Sequence, residues 1–386
     1  EAREHLTAAV DVLRAHPDTD TVRALEQLAM LEVFAGSAEA GQLTDEALAL
    51  GQALDVGPSL LSGLLDTRGI YFSSLDRHVE AVAYYRESAR IAGRAGDNLS
   101  MGRALCNLAF DLALTDPAAG AEAGYEAVSG VRQTGARDTL AVAIINLASA
   151  LLLLGDWDAA EDECARADSD GLAEHEIVAC QRGWQAALRG QVDIAETYLL
   201  AIPGLLASED PQDQAAASVV AAFIAAARLR PREVLRHAGR VMAQVEAIGF
   251  SHDFVRWAWP LSARAADELR DTAAVDDLLA LLDAHQPGKL GPMLRAERDL
   301  VRARRAARNG DQDALAAAVA SLRTHSTPYH LAHGLLDHAE QLASHDDPDA
   351  AAEAAREARA IGERLRCRPL LDRAEAFSAG RYWIEA

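Results

Sequence analysis

The stretch LLLLGDWDAAEDECARA, residues Leu151–Ala167, decides the fold. Four leucines end at Gly155, and small and acidic residues follow Asp156. A glycine readily adopts the left-handed conformation that ends a helix, and an aspartate directly after it is suited to cap the next helix. The residues before the glycine therefore predict one amphipathic helix of a hairpin, with apolar side chains at helical spacing: Leu140, Ala143, Ile144, Leu147, Leu151 and Leu154.

Similar turn residues between two helical stretches recur along the whole chain, at intervals of 35 to 40 residues. A fixed period of this size is typical of a solenoid, because a hairpin of two short helices buries its apolar face only by stacking on its neighbours. We therefore predict an all-α fold, an α-α superhelix (a right-handed solenoid) of about 20 helices. The turn positions that define the period are Gly36, Asp76, Asp116, Asp156, Gln191, Pro231, Asp271, Asp311 and Asp347.

The period predicts one continuous array with a single irregular interval, between Asp156 and Gln191. The acidic turn ADSDGLAEHE, residues 167–176, lies in that interval and marks a predicted change of curvature. We accordingly divide the array into residues 1–168 and 169–386. A softer connection, with two prolines and two glycines, is predicted at 285–292.

Composition limits the partners of this chain. The 386 residues carry a formal net charge of −22, so phosphate backbones and anionic membranes are repelled, and we expect no direct nucleic-acid contact and no membrane binding. The longest apolar runs, 141–154 and 215–227, fall short of the ~20 residues of a membrane span. No signal peptide is visible, which predicts a cytoplasmic protein. Because the chain begins at Glu1 rather than at methionine, we expect a fragment or a processed form.

Two turns carry a family resemblance. Gly155–Ala160 reads G-D-W-x-x-A and Gly190–Ala195 reads G-x-x-x-x-A, and both resemble the interhelical turn of the tetratricopeptide repeat (TPR). In that family the alanine is the small contact between the paired helices. The period near 40 exceeds the family's usual length of about 34 and indicates longer helices. The closing stretch 355–377 resembles the repeat region of actinobacterial multidomain regulators, which couple an ATPase to a LuxR-type DNA-binding domain or a class III nucleotide cyclase.

These resemblances imply a non-catalytic binding scaffold. We expect the sensor or interaction arm of a larger bacterial signalling or transcriptional regulator, with a protein segment, peptide or small effector in its concave groove. A stand-alone TPR adaptor, a self-association module that forms a homo-oligomer and, with least support, a metal-dependent enzyme are the alternatives.

Polar residues on the first helix of each hairpin are the candidate groove residues, because first helices line the concave surface in arrays of this kind. Asparagine is a poor helix former, so Asn107 and Asn146 inside helices require an explanation. Their amides are suited either to binding the backbone of an extended peptide or to tying adjacent hairpins together. The candidates, counted nine or ten residues before each turn together with nearby arginines, are Thr67, Arg68, Arg103, Asn107, Asn146, Gln181 and Arg182.

The sequence predicts no catalytic residue and no cofactor. The one lysine, Lys289, follows Gly288, but Asp283 stands where a phosphate-binding loop has its first glycine, and no hydroxyl residue follows the lysine. The four cysteines are expected to be small apolar thiols of a cytosolic protein. His330, His333 and Asp337 have metal-ligand spacing, but solvated or capping histidines are the favoured interpretation.

Arginines and tryptophans leave two further alternatives. A stripe of arginines is either a docking site or a solvated face paired with nearby acids, the latter being favoured. Core packing is favoured for the tryptophans, although Trp257 and Trp259 fall on different helical faces, so that one of them is a candidate for a groove. The stripe consists of Arg295, Arg298, Arg302 and Arg305.

Overall fold

The computed structural model describes residues 2–285, 289–311 and 313–380. Within these ranges the chain forms 22 α-helices and no strand, which confirms the predicted all-α superhelix of helical hairpins. The chain forms two compact units, Glu1–Ala150 (unit 1) and Leu151–Ala386 (unit 2). The division into 1–168 and 169–386, with a change of curvature near 167–176, stays a prediction. Residues 286–288 of the softer connection lie outside the described residues.

Unit 1 contains a leading helix followed by paired helices, the last of which extends four residues into unit 2. These helices are α1 (Ala2–Leu13), α2 (Thr19–Phe34), α3 (Ala40–Ala53), α4 (Pro58–Ser74), α5 (His78–Ala95), α6 (Asn98–Ala113), α7 (Pro117–Arg132) and α8 (Arg137–Leu154).

Unit 2 continues the pairs and adds two short connecting helices, α12 and α15, and a final helix, α22. Its helices are α9 (Trp157–Arg166), α10 (Glu176–Leu188), α11 (Val192–Leu200), α12 (Pro203–Ala207), α13 (Pro211–Ala227), α14 (Pro231–Met242), α15 (Val245–Ile248), α16 (Asp253–Glu268), α17 (Thr272–Asp283), α18 (Pro292–Arg308), α19 (Ala314–His325), α20 (Pro328–Ser344), α21 (Pro348–Leu365) and α22 (Arg368–Ser378).

A left-handed residue ends the first helix of most hairpins, as the sequence around Gly155 predicts. Gly155 has φ +79°, and Asp156 occupies the N-cap position of α9. The predicted capping bond is wrong in detail, because the Asp156 side chain accepts no capping hydrogen bond. Corresponding turns elsewhere contain residues with positive φ: Gly36, Asp76, Gly190, Leu229, Arg270, Gly310 and Asp346.

First helices of consecutive hairpins pack side by side. In unit 1, α4 contacts both α2 and α6, and in unit 2 the corresponding series is α10, α13, α16, α18, α20 and α22. The second helices α5 and α7 stand farther apart and leave an open groove of about 470 Å³ between them. A stack of hairpins curves when its first helices pack closely and its second helices stand farther apart.

Aromatic side chains fill the interior of unit 2. Trp184, Trp257 and Trp259 are each at most 2% exposed, so core packing is confirmed and neither Trp257 nor Trp259 faces an open groove. The Trp257 ring lies 5.4 Å from Trp184 and 5.7 Å from Tyr329, centroid to centroid. These rings come from the first helices α10, α16 and α20. In unit 2, side chains of the protein itself therefore fill the space along the first helices where a concave groove was expected.

The first helix of the hairpin that joins the units, α8, is unusually apolar. Judged by length and composition alone, it is the one described helix that qualifies as a membrane span, and 56% of it is buried inside the fold. Core helices of globular proteins pass the same test, and Leu140, Ile144 and Leu147 of α8 are among the buried residues.

Candidate functional site

A column of residues at the same repeat position runs across the first helices of unit 1. Glu26 (α2), Asp66 (α4), Cys106 (α6) and Asn146 (α8) follow one another at intervals of 40 residues. Because α2, α4 and α6 pack side by side, equal positions in successive repeats fall on one surface. We call this surface the inner face of unit 1, and define it by Glu26, Asp66, Arg103, Asn107 and Asn146.

Asp66 is the most buried acid of the inner face. It is 4% exposed, and its Oδ1 accepts a hydrogen bond of 3.0 Å from Nδ2 of Asn107. Burial raises the pKa of Asp66 to about 6, although the Asn107 bond and the nearby charge of Arg103 both act to lower it. The carboxyl group therefore titrates close to neutral pH.

Glu26 lies next to this pair. Burial raises its pKa, the positive charge of Arg103 lowers it, and the negative charge of Asp66 raises it further. Gly63 of α4 makes room for Glu26, because a Cβ atom at Gly63 would collide with the Glu26 carboxylate. Arg103 is exposed and supplies the nearby positive charge. The positive charge of Arg103 thus acts on both acids, the buried Asp66 and the partly buried Glu26, and Arg23 also acts on Glu26.

Both asparagines link adjacent hairpins. Asn107 on α6 bonds to Asp66 on α4, and Nδ2 of Asn146 on α8 donates to the backbone oxygen of Cys106 on α6, at 3.0 Å. The hairpin-tying interpretation is thereby confirmed for their NH₂ groups. Within the described chain, the Oδ1 oxygens of both residues accept no hydrogen bond, and both side chains are only half buried.

The two remaining candidates of unit 1 have different surroundings. Thr67 is buried, and its hydroxyl has no hydrogen-bond partner among the described residues. Arg68 is directed toward α3, where it donates to the Gly41 oxygen at 3.0 Å and pairs with Asp45 at 2.6 Å. Its guanidinium also lies over the ring of Phe72, 4.6 Å from the centroid. Arg68 therefore joins α3 to α4 and is not part of the inner face.

Gln181 and Arg182 belong to α10 of unit 2. Gln181 is 5% exposed, and its Nε2 has no hydrogen-bond partner in the described part of the chain. Arg182 donates to the backbone oxygen of Cys164 and to Asp168, at 2.8 Å from the latter, so it secures the end of α9. Unit 1 therefore brings together Arg103, Asn107 and Asn146 of the predicted set.

The residues with metal-ligand spacing lie in unit 2 and have other partners. His330 is 4% exposed, so the favoured interpretation of a solvated histidine is wrong for it. His330 packs on Trp257 and contacts the Thr327 hydroxyl through Nδ1, and burial lowers its pKa to about 3. Asp337 pairs instead with arginines, at 3.0 Å from Arg264 and 3.4 Å from Arg304. Among the described residues no group of three or more His, Cys, Asp or Glu side chains is arranged to hold a metal ion.

Three of the four arginines of the α18 stripe, Arg298, Arg302 and Arg305, are paired with acids, as favoured. Arg302 lies 2.6 Å from Asp283, Arg298 lies 3.4 Å from the same carboxylate, and Arg305 lies 2.6 Å from Asp276. The pairs are partly exposed, and such pairs contribute little to stability individually.

Glu26 and Asp66 are the site residues that sequence reasoning missed. The available signal was the 40-residue column itself, since both acids stand at the position that Asn146 occupies two or three repeats later. Asn107 lies one position further along its repeat than Asn146, and Cys106 is the residue equivalent to Asn146. Following one repeat position, rather than one residue type, would have found the acids.

Comparison with known proteins gives similarity to solved structures alone. No protein-family model matches the chain, and neither does any curated protein. The chain is similar to the solved structure of a Rap protein complexed with competence and sporulation factor, at 12% identity and a TM-score of 0.47, over 92% of this chain and 90% of that chain. It is also similar to the apo form of the quorum sensor NprR from B. thuringiensis, at 11% identity and a TM-score of 0.42, over 94% and 97%. At these values the likeness does not extend to function.

Proposed function

We propose that the chain is a non-catalytic binding module that holds a protein segment or peptide across the inner face of unit 1. The observation that carries this proposal is the pair of half-buried asparagines on successive first helices of the inner face, both of which keep free carbonyl oxygens. Structural ties alone require the NH₂ groups only. Free amide oxygens are acceptors for the N–H groups of an extended backbone.

The spacing of the helices sets the length of the proposed ligand. Packed helices lie roughly 8–10 Å apart, and an extended chain advances about 3.3 Å per residue. A peptide that crosses α2, α4, α6 and α8 therefore presents about every third residue to an inner-face anchor. Roughly ten residues span the four helices.

Each inner-face group has a distinct role in this proposal. The Oδ1 atoms of Asn107 and Asn146 accept from peptide N–H groups, and the exposed guanidinium of Arg103 donates to a peptide carbonyl. The NH₂ groups of the asparagines stay bonded to Asp66 and to the Cys106 backbone, which fixes the direction of both amides. Orientation before binding reduces the entropy lost when a ligand is bound.

A double variant tests the proposal. We expect Asn107→Ala with Asn146→Ala to weaken peptide binding by about tenfold or more, since two hydrogen bonds to the ligand are lost. The probes are fluorescein-labelled decapeptides selected from a random library on the full chain, followed by anisotropy. Melting of the variant is measured in parallel, because the ties between hairpins are lost as well. Asn309→Ala, an exposed amide in unit 2, is the matched control.

Binding that is unchanged while the melting temperature falls would assign both asparagines to structure alone and overturn the proposal. A library from which no decapeptide is selected on the full chain would overturn it as well.

The wider role of the module is that of a cytoplasmic sensor or interaction arm in a larger bacterial regulator. Ligand occupancy biases an attached ATPase, cyclase or DNA-binding module only if the ligand prefers one state of the arm. Sequencing the complete gene product tests this role, because an adaptor or self-association module lacks such an attached domain.

A further inference from the structure

A second surface of unit 1, on the side of the second helices, has the features of a docking groove. It lies between α5 and α7 and has a volume of about 470 Å³, within the size range of ligand sites. α6 forms its floor through Met101, Leu105 and Leu108, which recur at helical spacing. We call it the outer groove and define it by these three residues with Arg86, Ala89, Arg90, Gly93, Arg94 and Glu126.

Small residues keep the outer groove open. Ala89 and Gly93 line the α5 side. On the α7 side, a Cβ atom added to Gly130 would lie 3.6 Å from the Met101 methyl carbon, so Gly130 borders the floor without filling it. The floor spans about two turns of α6. Leu105 and Leu108 are 5% and 6% exposed, so they contribute only their edges to the base of the groove beside Met101.

The rim of the outer groove is basic in an otherwise acidic chain. Arg86, Arg90 and Arg94 are exposed and follow one another at four-residue spacing along α5. Arg90 pairs with Glu87 of its own helix, an exposed pair that contributes little. In the part of the chain that the structure describes, Arg86 and Arg94 have no salt-bridge partner, although the protein has 59 acidic residues. Arg86 and Arg94 are thus left for a ligand to pair with, although the charge of Arg94 also acts on Glu87 and Glu126 of α7 lines the same groove.

We propose that the outer groove binds an acidic amphipathic helix of a partner protein. The apolar face of this helix packs on Met101, Leu105 and Leu108, and its carboxylates pair with Arg86, Arg90 and Arg94. This site is separate from the inner face and does not depend on peptide binding there.

The spacing of the rim and floor favours a helix over an extended segment. One step of four residues along α5 is about 6 Å, so the three arginines cover about 12 Å. Carboxylates at positions i, i+4 and i+8 of a bound helix repeat with the same rise, whereas side chains on one face of a strand recur about every 7 Å. The floor residues also have the helical spacing that a second helix matches by ridge-into-groove packing.

Synthetic helices test the proposal on the full chain. The probe is a labelled peptide of roughly 15 residues with leucines on one face and glutamates at i, i+4 and i+8, compared with a twin that has glutamine at those three positions. We expect the glutamate peptide to bind about tenfold more tightly and to lose affinity as salt is raised. Equal binding of the two peptides, or binding of neither, would overturn the proposal.

Two variants with matched controls locate the binding. Arg86→Glu with Arg94→Glu should weaken glutamate-peptide binding by about tenfold or more, while Arg232→Glu with Arg240→Glu, equally exposed and equally spaced on α14, should leave it unchanged. Ala89→Phe fills the groove without changing charge and should also block binding, unlike Ala83→Phe on the exposed side of α5.

If a variant and its control changed glutamate-peptide binding equally, the peptide would not be bound in the outer groove. If millimolar inorganic phosphate competed with the labelled peptide as well as the unlabelled peptide does, the groove would be a small-anion site. That result would overturn the proposal that it binds a helix. A circular-dichroism melt of every variant identifies any that fails to fold. If the charge variant fails, the Ala89→Phe variant tests the proposal by itself, and the reverse holds if Ala89→Phe fails.

Discussion

Two acids at one repeat position show how the surroundings of a residue decide its chemistry. Glu297 and Asp337 lie 40 residues apart and are both buried. Burial raises the pKa of Glu297 to about 7, because one hydrogen bond from Ser326 and more distant arginines do not replace its hydration. Asp337 is equally desolvated, but direct pairing with Arg264, Arg304 and Arg373 holds its pKa well below the usual range.

Replacing Glu297 with glutamine should change the pH dependence of stability. The pKa of Glu297 rises from 4.5 to about 7 on folding, so between these values the folded chain binds a proton that the unfolded chain has released. The stability that protonated Glu297 contributes is therefore fully present below about pH 4.5 and is lost as the pH rises through 7. Glu297→Gln removes this loss, and we expect the variant to be more stable than the parent by up to about 3 kcal/mol near pH 8. Urea unfolding near pH 5 and near pH 8 measures the difference.

Asp337→Asn is the contrasting control. It removes the charge that three arginines surround, and we expect it to cost roughly 3–5 kcal/mol at neutral pH. If Glu297→Gln also destabilised the chain near pH 8, Glu297 would be charged and paired in the folded protein, contrary to this account.

The sequence supports residue-level prediction only partly. Asn107 and Asn146 were identifiable because asparagine is unfavourable inside helices, and the structure places both between adjacent hairpins. Asp66 was not identified, since an acid in a helix is ordinarily solvated, and its burial arises from the packing of α2, α4 and α6. Arg68 was misplaced because its direction depends on contacts with α3.

At the level of elements, the interhelical turn explains the repeat. Each hairpin reverses the chain direction within a few residues, and a left-handed residue makes this reversal possible. Glycine occupies that position at Gly36, Gly155, Gly190 and Gly310, whereas Leu229 and Arg270 adopt it with φ of 55° and 56°. A side chain in this conformation costs about 1 kcal/mol.

We predict that Leu229→Gly stabilises the chain by about 0.5–1 kcal/mol. The Leu229 side chain is 71% exposed, so little packing is lost when the strained conformation is relieved. Gly36→Ala, at φ +64° with open space around its Cβ position, should be destabilising by about 1 kcal/mol for the converse reason. Chemical denaturation of both variants is the measurement. A loss of stability in Leu229→Gly would mean that its exposed side chain makes a contact worth more than the strain.

Sequence periodicity predicts the paired helices but not the connecting ones. The turn positions at 35 to 40 residues locate the ends of first helices because glycine, aspartate and proline act there through local backbone chemistry. The connecting helices α12 and α15 have five and four residues, too few for a periodic signal. They are held by packing, since Ile202, Leu205 and Val245 are buried.

At the scale of the molecule, unit 2 departs from the neighbour-only logic of a solenoid. Its last helices return to its first ones: the backbone N–H of Arg368 donates to the Arg189 oxygen, and the Cys367 thiol donates to the Leu188 oxygen across 179 residues of sequence. Trp157 of α9 likewise packs against Tyr329 of α20, with ring centroids 5.9 Å apart. A repeat pattern describes contacts between adjacent hairpins only, so the sequence could not predict these contacts between the first and last helices of unit 2.

Gly190 is the residue at which these contacts can be tested. It has φ +80°, and a Cβ atom added there would lie 2.9 Å from Cδ of Pro369, at the start of α22. Gly190→Ala should therefore add backbone strain of about 1 kcal/mol and also push α22 away from the α10–α11 turn. We expect amide hydrogen exchange to quicken both around residues 188–192 and in α22, two regions far apart in sequence.

Gly310→Ala separates the two effects. Gly310 has φ +97° with open space around its Cβ position, so alanine there imposes comparable backbone strain without a distant collision. Exchange should then quicken only near residue 310, within the α18–α19 hairpin. If Gly190→Ala changed exchange only near residue 190, the contact with α22 would contribute nothing to holding unit 2 closed, and unit 2 would behave as a linear stack. If both distant regions respond together, the long-range contact stabilises the closed arrangement in addition to the nearest-neighbour packing of the hairpins.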